Sequence, residues 1–122
     1  AWKAAGEKTD MIIDVEADEL AMDIPHDDRL LIVDVRKETE YADGHVKDAV
    51  NIPLNDLIDP AMIANIEDSD NLYIHCAGGY RSVIAASLFK RQGYHNLRNV
   101  VGGWSKIKEQ KIKIEKETSV LN

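Results

Sequence analysis

The sequence is organised around one segment, which reads Leu72-Tyr73-Ile74-His75-Cys76-Ala77-Gly78-Gly79-Tyr80-Arg81-Ser82. Its first residues form a short hydrophobic run, typical of a buried strand, and a glycine-containing loop follows. Residues 82–92 predict a helix, because their apolar side chains share one face, two basic residues fall in the last turn, and Gly93 follows as a cap. The segment therefore predicts a strand over 72–75, a tight loop and a helix, with Cys76 where the strand ends.

Shorter apolar runs elsewhere predict the rest of a sheet. They cover residues 11–15, 30–35 and 50–52, with a weaker run at 99–101. The run that starts at Leu30 is apolar without alternation, as expected for a strand covered on both faces. Short helices are predicted at 54–58 and at 61–66, the latter with Pro60 in its first turn. This alternation predicts an α/β domain built on a mainly parallel sheet, with helices on both faces.

Composition narrows the class of protein. The 122 residues are 44% hydrophobic and 30% charged, which is typical of a single soluble globular domain. A formal net charge of −7 argues against nucleic acid or an anionic membrane as a partner. No apolar run approaches the roughly 20 residues that cross a bilayer. Cys76 is the single cysteine, which excludes an internal disulfide and a multi-cysteine metal site and predicts a reduced, cytoplasmic domain.

The loop after Cys76 has the features of a site that activates a thiol. In open parallel sheets, ligands bind beyond the carboxyl ends of the strands, where Cys76 is predicted to lie. Gly78 and Gly79 allow several backbone N–H groups to converge, and the following helix adds the positive end of its dipole. Such surroundings lower the pKa of a thiol from ~8.5 into the range of roughly 3.5–7.5. Arg81 adds a permanent positive charge that can hold an anionic substrate.

The loop is compatible with two other interpretations. One is a buried structural cysteine, since cysteine is among the residues most often buried; the two glycines and Arg81 favour a reactive thiolate instead. The other is phosphate-ester chemistry, because tyrosine phosphatases place an arginine after a cysteine and five intervening residues. Here only four residues separate Cys76 from Arg81, and Ser82 stands at the phosphatase position. The shorter loop disfavours a phosphatase.

Three further stretches make the chain similar to the rhodanese family of single-domain sulfurtransferases. They are residues 31–36 with Glu40-Tyr41 and Gly44-His45-Val46, then Ala49-Val50-Asn51-Ile52-Pro53, and finally Gly102-Gly103-Trp104. The resemblance implies a five-stranded, mostly parallel sheet flanked by helices. It also implies transfer of a sulfane sulfur from thiosulfate or a persulfide to a thiol or a cyanide-like acceptor, with no metal and no organic cofactor.

The same resemblance assigns roles to the residues of the loop. Cys76 attacks the outer sulfur of the donor and becomes a persulfide, which is covalent catalysis in two steps. The backbone amides that would bind its negative charge belong to Ala77, Gly78, Gly79, Tyr80, Arg81 and Ser82. A non-catalytic binding or regulatory module, or an arsenate reductase or phosphatase, are the alternatives. The presence of both Cys76 and Arg81 favours the enzyme.

The remaining polar residues of these stretches have a structural interpretation. The residues of the first stretch are expected to tie strand ends to loops through hydrogen bonds and ion pairs; they are Asp34, Arg36, Glu40 and His45. His75 is expected to face away from the thiol, because neighbouring side chains of a strand point to opposite faces. The four histidines show no metal-ligand spacing, and Trp104 is expected to be a core or interface aromatic.

The ends of the chain carry an expectation of their own. Ala1-Trp2-Lys3-Ala4-Ala5-Gly6 resembles the C-terminal ending of a family member, at the wrong end of this chain. We therefore expect residues 1–10 to be a linker or the tail of an upstream domain, as in fusions with a metallo-β-lactamase-like domain, and 11–110 to be the rhodanese-like domain. Residues 111–122 are expected to be a C-terminal tail, with a helix over 106–116 that frays into solvent.

Overall fold

A computed structural model describes residues 12–59, 61, 66, 71–78, 80–94 and 96–116. In chain order its helices and strands are β1 (Ile12–Val15), α1 (Ala17–Asp23), β2 (Leu30–Asp34), α2 (Glu38–Asp43), β3 (His45–Val46), β4 (Val50–Asn51), a 3-10 helix (Leu54–Ile58), β5 (Asn71–His75), α3 (Tyr80–Arg91), β6 (Leu97–Val100), α4 (Gly103–Ile107) and β7 (Ile114–Glu115). Met11, Ala1 to Gly6 and most of the predicted helix at 61–66 lie outside the described residues.

The strands form a five-stranded sheet in the order β1-β6-β5-β2-β4, and all four neighbouring pairs are parallel. β5 lies at the centre, where Ile74 is level with Val33 of β2 on one side and with Asn99 of β6 on the other. The connection from β5 to β6 contains α3, as parallel neighbours require. The carboxyl end of β5 is therefore the middle of one edge of the sheet.

Two hydrophobic layers cover the sheet. On one face Leu72 and Ile74 pack in a cluster with Ala85 and Phe89 of α3, and all four are fully buried. On the other face a second cluster contains side chains from the sheet and from α1 and α4, namely Ile32, Tyr73, Val100, Leu20 and Ile107. The predicted α/β fold, with five strands and helices on both faces, is confirmed.

The sequence patterns above predict neither α1 nor α2, and each of these two helices begins with the same local hydrogen bond. At α1 the backbone N–H of Glu16 donates to Glu19 Oε1 at 3.0 Å, and at α2 that of Lys37 donates to Glu40 Oε1 at 2.9 Å. An acidic residue three positions after the cap is one half of the capping-box pattern. That spacing was the available signal for both helices.

The prediction of a helix over 106–116 is wrong. α4 ends at Ile107, and Ile114 and Glu115 pair antiparallel with Val46 and His45. The sequence from Lys111 to Glu115 alternates polar and apolar side chains with a period of two, which suits a strand better than a helix. The described part of the expected tail thus contacts the domain, while the boundary at residue 110 stays a prediction. No helix in the described ranges has the length and apolar character needed to span a bilayer.

Candidate active site

Cys76 is the first residue after β5, at the centre of the carboxyl edge of the sheet. Its side chain lies on the α3 face, in the same cluster as Ile74, and the residue is only 1% exposed. The Cys76 thiol is not part of a disulfide. Its sulfur lies 3.7 Å from Oγ of Ser82 in the first turns of α3. The end of β5 and the start of α3 thus meet at this sulfur.

A series of side-chain hydrogen bonds leads from Ser82 to the strands β6 and β1. Ser82 Oγ donates to Oδ1 of Asn99 at 2.5 Å, and Asn99 Nδ2 donates to Oδ1 of Asp14 at 3.1 Å. Ser82 and Asn99 are both buried. Asn99 and Asp14 were missed as site residues, because they stand on different strands whose adjacency only the sheet order reveals.

Arg81 makes an ion pair with Glu40, with Nη1 and Oε1 3.3 Å apart. The two side chains are 32% and 36% exposed, so a pair of this kind contributes at most about 1 kcal/mol to stability. Burial by itself would raise the pKa of Glu40. The Lys37 amide and the Arg81 guanidinium, helped by Arg36, outweigh it and hold that pKa below its usual range. Glu40 is therefore ionised at neutral pH and balances the charge of Arg81.

Arg81 also borders a small cavity of about 110 Å³. Its other lining residues come from the ends of β2 and β4 and from the 3-10 helix: Val35, Lys37, Pro53, Leu54 and Asn55. Two cationic side chains thus line the cavity, and its walls are otherwise largely apolar. Tyr80 is 87% exposed at the start of α3, and Gly79 lies outside the described residues.

Asp34 and Arg36, from the family-like stretch at residues 31–36, form a buried ion pair on the face of the sheet opposite the Cys76 side chain. Arg36 Nε and Nη2 donate to Oδ1 and Oδ2 of Asp34 at 2.9 and 2.7 Å, and Nη2 also donates to the carbonyl of Gly44 at 2.7 Å. His45 Nδ1 lies 2.8 Å from the carbonyl of Tyr41, and the two rings stack with centroids 3.7 Å apart. These groups join the end of β2 to α2 and β3, on the face of the sheet opposite the Cys76 side chain.

His75 is fully buried on the face of the sheet opposite the thiol. Its Nδ1 lies 3.2 Å from the Cys76 carbonyl and carries the hydrogen, since a carbonyl can only accept. Its Nε2 lies 3.7 Å from Oδ2 of Asp34 and has no hydrogen-bond partner among the described residues. Burial lowers the pKa of His75 more than Asp34 raises it, so the ring is neutral at pH 7. This position excludes a direct Cys76–His75 dyad.

No three His, Cys, Asp or Glu side chains converge as a metal-binding set within the described ranges. At the end of β5 the structure places a buried thiol next to the Ser82 hydroxyl and ahead of a loop that leads to Arg81. A thiol at a strand end before a helix is suited to nucleophilic attack on a small electrophilic atom.

Known proteins resemble the chain in both sequence and structure. The profile of the family described as "Rhodanese-like domain" matches residues 16–110. The chain is 33% identical over 99 residues to a "Putative sulfur carrier protein YrkF" of Bacillus subtilis, and the match covers 81% of this chain and 52% of that protein. The chain thus spans about half the length of this relative.

A second relative is covered over most of its length. It is a "Sulfurtransferase" of Allochromatium vinosum, 28% identical over 93 residues, with 76% of this chain and 85% of that protein in the match. Among solved structures, the solution NMR structure of the rhodanese-like domain of the Anabaena Alr3790 protein superposes with a TM-score of 0.78 at 26% identity. That match covers 92% of this chain and 85% of the other.

Proposed function

Because this chain belongs to the rhodanese-like domain family, we propose that it is a sulfurtransferase in which Cys76 carries the transferred sulfur as a persulfide. The observation that carries the proposal is the position of Cys76, at the carboxyl end of the central strand and directly before the loop that leads into α3. Ligands of open parallel sheets bind at this edge. The sulfurtransferase name of the relative from Allochromatium vinosum supports the same activity.

The first half-reaction forms the persulfide. The Cys76 thiolate attacks the outer sulfur of thiosulfate, a new S–S bond forms, and the old S–S bond breaks as sulfite leaves with its electron pair. One thiolate and one dianion give one persulfide anion and one dianion, so atoms and charge balance. Because Cys76 is only 1% exposed, the atom that reaches it must be small, and a terminal sulfur meets that requirement.

The second half-reaction returns the thiolate. A thiolate or cyanide acceptor attacks the outer sulfur of the Cys76 persulfide, and the Cys76 sulfur leaves with the electron pair. The negative charge stays near the loop in both steps, where the amides of residues 77–82 and the positive end of α3 are suited to stabilise it. Arg81 supplies the cation for an anionic donor.

Intact-mass analysis tests the proposal. After treatment with thiosulfate or glutathione persulfide, the wild-type chain is expected to gain the mass of one sulfur atom, and cyanide is expected to remove it as thiocyanate. Cys76→Ser is the matched control: it keeps the fold and gains no sulfur, because a hydroxyl is far less acidic than a thiol. A wild-type chain that gains no sulfur from either donor contradicts the proposal and favours a binding module.

From the sequence we also propose that this domain follows an upstream domain in the same chain and acts in the cytoplasm. Hydrolysis of a phosphate monoester by the wild-type chain, without sulfur uptake, would instead favour the phosphatase alternative. Loop length argues against that outcome, because four residues separate Cys76 from Arg81.

A further inference from the structure

The turn formed by Gly102, Gly103 and Trp104 lies directly against the start of the cysteine loop. The backbone N–H of Trp104 donates to the Cys76 carbonyl at 2.7 Å, and that of Ser105 donates to the Ala77 carbonyl at 3.3 Å. His75 Nδ1 approaches the same Cys76 carbonyl at 3.2 Å. Three donors therefore hold the first two carbonyls of the loop on the side away from the thiol.

Fixing these carbonyls also fixes the amides of the loop. In a trans peptide unit the C=O and the following N–H lie in one plane and point in opposite directions. The Cys76 carbonyl shares its peptide unit with the N–H of Ala77, and the Ala77 carbonyl shares its unit with the N–H of Gly78. With both carbonyls held at the turn, both N–H groups are directed away from it, where they can contribute to binding an anion at the loop.

Gly103 allows the turn to approach this closely. A Cβ at Gly103 would lie 2.3 Å from the Cys76 carbonyl oxygen and 3.0 Å from the Ala77 carbonyl. Real Cβ atoms do not come so near to backbone atoms, so any other residue pushes the turn and the loop apart. The φ of Gly103 is +57°, which also favours glycine.

The side chain of Trp104 holds the turn from the other side. The Arg36 guanidinium lies 4.4 Å from the centre of the Trp104 ring, and the His75 ring lies nearly parallel to it with centroids 6.2 Å apart. Arg36 is itself fixed by Asp34 and by the Gly44 carbonyl. The Asp34–Arg36 ion pair thus fixes the position of the Trp104 ring, and the ring fixes the Trp104 N–H that donates to the Cys76 carbonyl.

We propose that Gly103 and His75 are positioning residues for Cys76, which act by holding the carbonyls of Cys76 and Ala77 so that the amides of the loop face the reacting sulfur. The proposal rests on the proposed function in taking Cys76 as the reacting group. Its readout, alkylation of the Cys76 thiol by iodoacetamide across a range of pH, does not require sulfur transfer. A chain that transfers no sulfur can therefore still confirm or contradict the positioning role.

Gly103→Ala and Gly93→Ala form a matched pair. Gly93 has φ +98° with nothing within 4 Å of an added Cβ, so its alanine variant carries the backbone strain without touching the loop. We expect Gly103→Ala to raise the pH midpoint of alkylation by about one unit, which slows alkylation about tenfold at pH values well below both midpoints. Gly93→Ala is expected to keep the wild-type midpoint. Neither substitution alters the charged side chains near the loop, on any of the elements around it, or the neutral His75. These charged side chains are Arg81, Glu40, Lys37, Asp34, Arg36 and Asp14.

A second pair of variants, at His75, tests the proposal if Gly103→Ala does not fold. In His75→Asn the amide nitrogen stands close to the position of Nδ1 and can still donate to the Cys76 carbonyl, whereas His75→Leu has similar size and no donor. We expect the Asn variant to keep the wild-type midpoint and the Leu variant to shift it upward. Equal midpoints for the Asn and Leu variants, or for Gly103→Ala and the wild type, overturn the proposal, as does an equal shift in Gly93→Ala.

Discussion

The guanidinium of Arg36 lies 4.4 Å from the centre of the Trp104 ring, and this contact joins the family-like stretch at residues 31–36 to the one at residues 102–104. Arg36 follows β2, and Trp104 lies in the first turn of α4. Asp34 binds the Arg36 side chain in a buried ion pair, and the Trp104 N–H donates to the Cys76 carbonyl. Asp34, Arg36, Trp104 and Cys76 therefore form one continuous set of contacts. The two stretches thus act together to fix the backbone at Cys76 in the candidate active site.

The first prediction contrasts two ion pairs. Arg36→Ala leaves the carboxylate of Asp34 buried without its partner, and we expect it to lower the free energy of unfolding by about 3–5 kcal/mol. Arg81→Ala breaks a half-exposed pair with Glu40, and we expect a loss below about 1 kcal/mol. Urea denaturation of both variants measures the difference. Equal losses would contradict the structural role given to Arg36.

The second prediction concerns the donor specificity of the site. Arg81→Ala is expected to raise KM for thiosulfate about tenfold, because it removes a cation that can make charge-assisted hydrogen bonds. Glu40→Gln is expected to lower that KM, since it releases Arg81 from its neutralising partner. Arg91→Ala, an exposed change at the far end of α3, is the control. Steady-state kinetics decide, and an unchanged KM in both site variants would remove Arg81 from donor binding.

The third prediction concerns pH and His75. In the unfolded chain His75 binds a proton near pH 6.5, whereas burial lowers its pKa in the folded chain. Below pH 6.5 the unfolded state therefore binds more protons, and stability falls as pH falls, by up to about 1.4 kcal/mol per pH unit from this group. His75→Asn should show a shallower loss of stability between pH 7 and 5.

The control for that measurement is His26→Asn, an exposed change in the turn after α1. It is expected to keep the wild-type slope of unfolding free energy against pH. If the slopes of the His75 and His26 variants are the same, His75 does not carry the pH dependence.

The fourth prediction concerns the turn between β3 and β4. Asp48 has φ +68°, a conformation that glycine adopts at little cost and that strains other residues. Asp48→Gly relieves this strain, which offsets the entropy that glycine loses on folding. Asp28→Gly, in a turn without positive φ, has only the entropy cost. Thermal melts are expected to make the Asp48 variant about 1 kcal/mol more stable than the Asp28 variant.

Much of the fold was predictable because its signals are local. The apolar runs that became β2 and β5, and the helical face and glycine cap of α3, depend on residues within a few positions of each other. The prediction of a helix over 106–116 is wrong for a local reason as well. Its lysines suit the exposed face of a helix, but Ile112 and Ile114 alternate with them as in a strand, and Ile114 pairs with Val46.

The sequence by itself determined that Cys76 ends a strand, that a glycine-containing loop follows and that a helix begins within the next few residues. These features depend on periodicity and turn chemistry, which act between neighbours along the chain. Only the tertiary structure decided which polar groups meet there. Ser82 reaches Asn99, Asn99 reaches Asp14, and Trp104 reaches the carbonyl of Cys76. Their partners lie on other elements, and the order in which parallel strands assemble decides which side chains become neighbours.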